Sequence, residues 1–497
     1  MERHIETVMK YILAIDQGTT SSRAIIFDSL CNIVDSVQEE FPQHFPKPGY
    51  VEHDPEEIWN SVLSTVTKVL ARNPDKPVSA IGIANQRETA LVWDAVSGKA
   101  VHNAIVWQDR RTAEYCAGLK RRAQFIRKRT GLVPDAYFSG PKIKWILDNV
   151  DGAAEKARSG ALKFGTVDSF LVWRLTSGRV HATDVTNASR TMLFNINTLK
   201  WDDYLLNLMG IPGCILPEVR ENAFVIGYTE GVEGIPDGIP IAGVAGDQQA
   251  SLFGQMCLHP GDVKNTYGTG CFLLMNCGEK VLLSRNRLLT TVAWSIGGRV
   301  NYALEGSVFV AGSVVQWLRD GLGVIKSSGE VEALAAGVPD NGGVYFVPAL
   351  TGLGAPYWNS GATGNISGIT RGTTAGHIAR AALEGIAFET FDVMQAMSRD
   401  AGLPVSELKV DGGASRNNLL MQFQADILGV TTVRPKIVET TALGAALLAG
   451  LGTGIWKNIE ELQAHWQPEC RFSPQMAAED AACAVENWHK AVSKSIK

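Results

Sequence analysis

Tyr11-Ile-Leu-Ala-Ile-Asp16, then Gln17-Gly-Thr-Thr-Ser-Ser-Arg23, then Ala24-Ile-Ile-Phe27: this stretch decides the fold. An apolar run closed by an acid, a polar Gly/Thr segment and a second apolar run predict strand, turn and strand. A P-loop would need GxxxxGK[ST] leading into a helix, and neither feature is present. The predicted hairpin turn offers backbone N–H groups and hydroxyls to an anion, although the same residues also suit a plain β-turn. The pattern returns far downstream, where Asp262-Val-Lys-Asn-Thr-Tyr-Gly268-Thr269-Gly270 leads into Cys271-Phe-Leu-Leu-Met275. Two such hairpins, one near the start of each half, point to an internal duplication.

Between and after them, helix and strand signals alternate. Asp54-Pro55-Glu56-Glu57 reads as a helix start with an Asp cap, Pro in the first position and Glu in the third. Ser79–Ala84 and Thr89–Trp93 read as strands flanking Asn85-Gln-Arg-Glu88. Leu408-Lys-Val-Asp-Gly-Gly413 is a strand running into a Gly-rich turn; the helix after it carries Leu420, Phe423 and Ile427 and is stopped by Gly429. The class is therefore α/β. At 497 residues the chain exceeds one ordinary core, so two large domains or three smaller ones are expected.

Composition narrows the function classes. With 45% apolar and 20% charged residues the chain is globular, and a net charge of −5 gives no basic face for nucleic acid. The eight cysteines include no CxxC pair or zinc spacing, which predicts reduced thiols in a cytoplasmic setting. Met1–Lys10 lacks the apolar region of a signal peptide. Thr441–Trp456, rich in Ala and Gly, is too short and too poor in large apolar residues to span a bilayer, and reads as a helix packed inside a domain.

Three acidic positions carry the chemical expectation. Asp247 follows the apolar strand Pro240–Gly246, and in open α/β sheets ligands bind beyond the carboxyl ends of strands. Its carboxylate there is either a helix cap or a base that takes the proton of an attacking hydroxyl. Asp16 at the end of the first strand is either a turn cap or an oxygen ligand for Mg²⁺. Arg87-Glu88 is either a surface ion pair or, if buried, a donor–acceptor pair suited to a polyol.

Two long runs resemble the signatures of the FGGY family of carbohydrate kinases, within the actin/Hsp70-like ATPase superfamily. They are Tyr137-Phe-Ser-Gly-Pro-Lys-Ile-Lys-Trp-Ile-Leu-Asp-Asn149, and Gly364-Asn-Ile-Ser-Gly-Ile369 followed by His377-Ile-Ala-Arg-Ala-Ala-Leu-Glu384. The resemblance extends from about Tyr11 to Trp456. Asp16–Arg23, Asn85–Thr89 and Gly246–Gln249 are most similar to the members that phosphorylate glycerol.

The resemblance implies two actin-like (ribonuclease H-like) ATPase domains facing each other across a cleft. Residues 1–253 would hold the polyol site and first phosphate hairpin, and 254–497 the second phosphate hairpin and adenosine site. It implies Asp247 as the general base, also holding a glycerol hydroxyl, with Arg87, Glu88, Tyr137 and Gln248 on the remaining hydroxyls and Trp107 and Phe272 along the carbons. For ATP/ADP it implies Thr19, Thr20, Ser21 and Arg23 from the first turn and Thr269 from the second. Gly312 and Gln316 would line the same nucleotide site, Gly413 and Asn417 would hold the adenosine end, and Asp16 would act on Mg²⁺.

It further implies a homodimer or homotetramer with a small-molecule substrate, no nucleic acid and no membrane span. Some members are inhibited by fructose 1,6-bisphosphate through a Gly-Gly-Thr-Arg loop or activated by phosphorylation of a nearby His. Here Gly231-Val-Glu-Gly-Ile-Pro-Asp-Gly238 has no Arg, and no His lies between Pro217 and Gly246, so neither control is expected. The alternatives are a family kinase of another polyol or ketose, against which Arg87-Glu88 argues, and an ATPase switch, which would not need the hydroxyl-binding set.

Overall fold

In the computed structural model, residues 9–359 and 361–496 are described, so most of the opening Met1–Lys10 segment lies outside the described residues. The chain packs as two compact units. The first takes the chain through Met256 and also Thr291–Tyr302 and Thr440–His465; the second takes Cys257–Thr290, Ala303–Glu439 and the remainder from Trp466. These two excursions interrupt a simple division into halves.

The first unit is built on a six-stranded sheet of β1 (Tyr11–Gln17), β2 (Ser21–Asp28), β3 (Ile33–Glu40), β4 (Val78–Asn85), β5 (Ala223–Tyr228) and β6 (Pro240–Gly246), in the spatial order β5-β6-β4-β1-β2-β3. The expected hairpin is present. β1 and β2 are antiparallel, with Asp16 opposite Arg23, and the Gly18 N–H closes the turn on the Ser21 carbonyl at 2.9 Å. β4 runs parallel to β1 and β6 parallel to β4, so Gln17, Asn85 and Gly246 stand side by side at the carboxyl ends.

Helix α1 (Pro55–Arg72) begins where its capping signal places it. The Asp54 side chain accepts the Glu56 N–H at 2.8 Å, and Ile58, Val62, Val66 and Val69 recur at helical spacing to bury one stripe against the sheet. Glu57 serves a different partner from the cap, accepting from His44 Nε2 at 2.8 Å. Helices α2 (Ser139–Asn149) and α3 (Asp247–Gly254), the latter directly after β6, also belong to this unit.

A seven-stranded sheet carries β7 (Val263–Tyr267), β8 (Cys271–Gly278), β9 (Leu289–Ile296), β10 (Arg299–Val308), β11 (Glu407–Asp411), β12 (Thr431–Pro435) and β13 (Pro468–Phe472), in the order β9-β10-β8-β7-β11-β12-β13; all but most of β9 and the start of β10 belongs to the second unit. β8 is antiparallel to β7, β11 parallel to β7, β12 parallel to β11 and β13 antiparallel to β12. The first sheet repeats this pairing strand for strand, with β2, β1, β4, β6 and β5 in those places. The shared pairing agrees with the expected duplication, although β5 precedes its partner β6 in the chain whereas β13 follows its partner β12. Helices α4 (Gly312–Asp320) and α5 (Asn418–Leu428) follow, and α5 ends at Gly429 with φ +66°, as its sequence signal requires.

The Ala/Gly-rich segment near the C-terminus forms α6 (Thr440–Gly452), which returns to the first unit and packs on its sheet. The approach is backbone against backbone. A methyl group at Gly82 would lie 2.2 Å from the Ala445 carbonyl oxygen, so the strand needs glycine there. All eight cysteines are free thiols. Among the described residues no helix is long and apolar enough to cross a membrane.

Candidate functional site

The carboxyl ends of β1, β4 and β6 carry the polar residues singled out above. Asp247 opens α3 directly after β6, is partly exposed, and accepts its neighbour's N–H, Gln248, at 2.7 Å. Arg87 leaves the end of β4 and is buried. Its Nε lies 3.3 Å from Asp247 Oδ1 and 3.8 Å from Glu88 Oε1, one Nη donates to Gln249 Oε1 at 3.1 Å, and the other reaches Tyr137 Oη at 3.4 Å. The surface ion-pair reading of Arg87-Glu88 is therefore excluded, since the two residues are 3% and 1% exposed. Burying a guanidinium costs several kcal/mol unless charge and hydrogen bonds offset it, which is what its two carboxylates and two further partners supply.

Glu88 adopts φ +61°, a left-handed conformation that costs a non-glycine residue about 1 kcal/mol or more. Its carboxylate accepts from Arg190 Nε at 2.6 Å, and its carbonyl accepts from Ser139 Oγ at 3.0 Å and Lys142 Nζ at 3.3 Å. Arg190 thus fixes the carboxylate, while Ser139 and Lys142 fix the main chain.

Trp107 stands edge-on to Tyr137, with ring centroids 5.7 Å apart, and donates from Nε1 to Thr19 Oγ1 at 2.9 Å. The indole thus links Tyr137 to the first turn. Within that turn Thr20 is exposed. Just after it, Gln38 on β3 accepts from Arg23 at 2.6 Å and donates to Ser21 Oγ at 3.0 Å.

A buried polar chain braces the turn from behind. Gln43 Oε1 meets His53 Nε2 at 2.6 Å, His53 Nδ1 meets Gln86 Nε2 at 3.4 Å, and Gln86 Nε2 donates to Gln17 Oε1 at 3.0 Å. Burial and the nearby His44 pull the His53 imidazole down to about 4. Behind β6, buried Asp184 takes the Asn187 and Asn222 amides and the Thr186 hydroxyl, and Thr186 Oγ1 in turn accepts the Gly246 N–H at 2.9 Å. That chain fixes the residue immediately before Asp247.

The second unit presents its own cluster. Its turn closes by Gly268 N–H on the Gly270 carbonyl at 2.9 Å, leaving Thr269 exposed. The amino end of α4 clamps it: Ala311 and Ser313 N–H reach the Thr269 carbonyl at 2.8 and 3.1 Å, and Gly312 N–H reaches the Gly268 carbonyl at 2.9 Å. Gln316 is exposed one turn along α4. Gly413 is exposed after β11, and Asn417 caps α5 by accepting the Leu420 N–H at 2.9 Å. Phe272 sits on β8 opposite Thr266.

Within the first unit, then, Arg87, Glu88, Tyr137 and Asp247 come together as one constellation. The sequence reading did not single out Arg190, Gln249, Ser139 or Lys142. The last two lie inside the quoted Tyr137–Asn149 run, so a signal for them existed; Arg190 has no local pattern to betray it.

Comparison with known proteins gives a consistent picture. Family models described as the FGGY family of carbohydrate kinases, N-terminal and C-terminal domains, match residues 11–254 and 263–453. The chain is 59% identical over 487 residues to a glycerol kinase of Burkholderia pseudomallei, covering 97% of each protein. It is also 59% identical to a Thermotoga maritima glycerol kinase 2, covering 98% of this chain and 99% of the relative. Among solved structures, Plasmodium falciparum glycerol kinase with ADP superposes with a TM-score of 0.93 at 37% identity, covering 98% of this chain and 99% of that one.

Proposed function

This chain belongs to the FGGY family of carbohydrate kinases, and from that premise we propose that it transfers the terminal phosphoryl group of ATP to glycerol, giving sn-glycerol 3-phosphate. The observation that carries the reading is buried Arg87, ringed by Glu88, Tyr137 and Asp247 at the ends of parallel strands. Glycerol offers only hydroxyls to recognise. A site that pairs each of them rejects analogues lacking one, because its own buried polar groups would be left unpaired.

In this reading Asp247 accepts the proton of the attacking hydroxyl as the new P–O bond forms and the bond to ADP breaks. Arg87, Glu88, Tyr137 and Gln248 orient the hydroxyls, with Trp107 and Phe272 along the carbons. Thr19, Thr20, Ser21 and Arg23 take phosphate oxygens, as does Thr269 beside Gly312 and Gln316, while Gly413 and Asn417 take the adenosine. On this basis residues 1–253 and 254–497 form the polyol-binding and adenosine-binding divisions.

Mg²⁺ fits the donor set. Asp16 is a partly exposed carboxylate beside the first turn, and Mg²⁺ needs only one or two carboxylates besides phosphates and water. When bound, it would neutralise charge on the phosphates. A cytoplasmic homodimer or homotetramer completes the proposal.

Calorimetric titration tests it. Glycerol should bind wild type, and Arg87→Ala should weaken binding by about 2–3 kcal/mol, roughly 30- to 150-fold. Equal affinity in the two proteins would refute the site. Turnover of ATP unaffected by any polyol would favour the switch alternative.

A further inference from the structure

The amino end of α2 does more than shape the wall behind the proposed glycerol site. Lys142 is completely buried, and among the described residues it forms no ion pair with a carboxylate. Its ammonium instead donates to two main-chain carbonyls, those of Glu88 and Tyr137, the two residues that reach the substrate region from separate parts of the chain. Ser139 Oγ, also fully buried, donates to the same Glu88 carbonyl at 3.0 Å.

The helix that carries both donors is itself anchored. Gly140 N–H bonds the Thr191 carbonyl at 2.7 Å, and a methyl group at Gly140 would lie 2.8 Å from that oxygen. Thr191 follows Arg190, whose Nε holds the Glu88 carboxylate at 2.6 Å. Three links therefore close a ring: α2 to the Glu88 carbonyl, Arg190 to the Glu88 carboxylate, and α2 to the segment bearing Arg190. Inside the ring sits a residue in a left-handed conformation, which persists only where its surroundings over-determine it.

Burying an ammonium is costly unless hydrogen bonds and charge offset it. Burial lowers its pKa to about 7, against the opposing pull of Glu88, Asp109, Asp135 and Cys116. A group retained at that cost calls for a role that a hydrocarbon side chain would not fill.

We propose that Lys142 is a positioning residue for polyol recognition: with Ser139 it locks the Glu88 and Tyr137 main chains in the register that aims their side chains at the substrate hydroxyls. This rests on the glycerol-kinase reading of the same site and adds to it the group that sets substrate affinity without touching substrate. Lys142 bonds neither Asp247 nor the Gly18–Thr20 turn, so its influence falls on glycerol rather than on ATP or proton transfer.

The test is steady-state kinetics of Lys142→Met with each substrate varied in turn. The KM for glycerol should rise on the order of 10- to 100-fold, with the KM for ATP within about twofold and kcat within about threefold of wild type. A merely structural role would depress all parameters together or lower only the melting temperature. If Lys142→Met does not fold, Ser139→Ala removes one donor to the same carbonyl and should raise the glycerol KM about threefold to tenfold. An unchanged glycerol KM in an active Lys142→Met enzyme, or in Ser139→Ala, overturns this inference and leaves the functional reading standing. A wild type without glycerol-dependent ADP release defeats both.

Discussion

The two Gly/Thr hairpins share a strand pairing but are braced by opposite means. Behind the first turn runs a chain of buried side chains, Gln43, His53, Gln86 and Gln17, ending at groups that can titrate or flip. Behind the second, the backbone amides of Ala311, Gly312 and Ser313 hold the carbonyls of Gly268 and Thr269, with no titratable group among these bonds. The neighbouring strand ends differ too. β4 and β6 lead into Arg87, Glu88 and Asp247, whereas β11 leads into Gly412 and Gly413. A duplicated scaffold thus fixes where a ligand can be met, while the residues just past each strand decide what chemistry meets it.

The largest break in this comparison should come from Asp247, which directly follows β6 where Lys436 directly follows β12. Asp247→Asn keeps the shape and removes the base, so kcat should fall by on the order of 10²- to 10⁴-fold while calorimetry still detects nucleotide. Near-normal turnover would take Asp247 out of the mechanism.

The difference in bracing predicts an asymmetric response to acid. His53 is neutral when folded because burial lowers its pKa to about 4, and it regains an ordinary value near 6.5 on unfolding. Above that pH neither state binds the proton. Between 6.5 and 4 only the unfolded chain does, so stability is lost as pH falls across this window, by up to about 3 kcal/mol. Partly buried His181, lowered to about 4 mainly by desolvation, adds in the same direction. Hydrogen exchange at pH 5 should show the amides around 18–20 losing protection before those around 268–270, and His53→Gln should flatten the acid limb of the melting curve. Simultaneous loss at both turns would contradict the asymmetry.

The second turn can be broken selectively at Gly412. Its φ of +84° and a methyl group 2.5 Å from the Tyr267 carbonyl oxygen leave no room for alanine, and Gly412→Ala should cost about 1–3 kcal/mol. Displacing the loop before Gly413 and Asn417 should raise the KM for ATP severalfold and leave that for glycerol unchanged. A glycerol effect as large as the ATP effect would show that the Gly412 loop does not serve the nucleotide selectively.

Much of this was legible in the chain itself. The hairpin at Tyr11–Phe27, the Asp54 cap, the Gly429 stop and the buried Ala/Gly helix all follow from interactions among residues near one another in sequence, so their patterns can be read locally. The signature runs likewise identified the family; Arg87, Glu88, Tyr137 and Asp247, which the same resemblance singled out, lie together in the structure. Burial was not legible. Arg87-Glu88 has the composition of a surface pair, and only the convergence of three strand ends with α2 and the Arg190 turn removes it from water. The same holds for Lys142 and Arg190, whose partners lie many residues away. A charge's role depends on the dielectric and the donors around it, and those are set by which distant segments pack together, a decision that belongs to the tertiary structure alone.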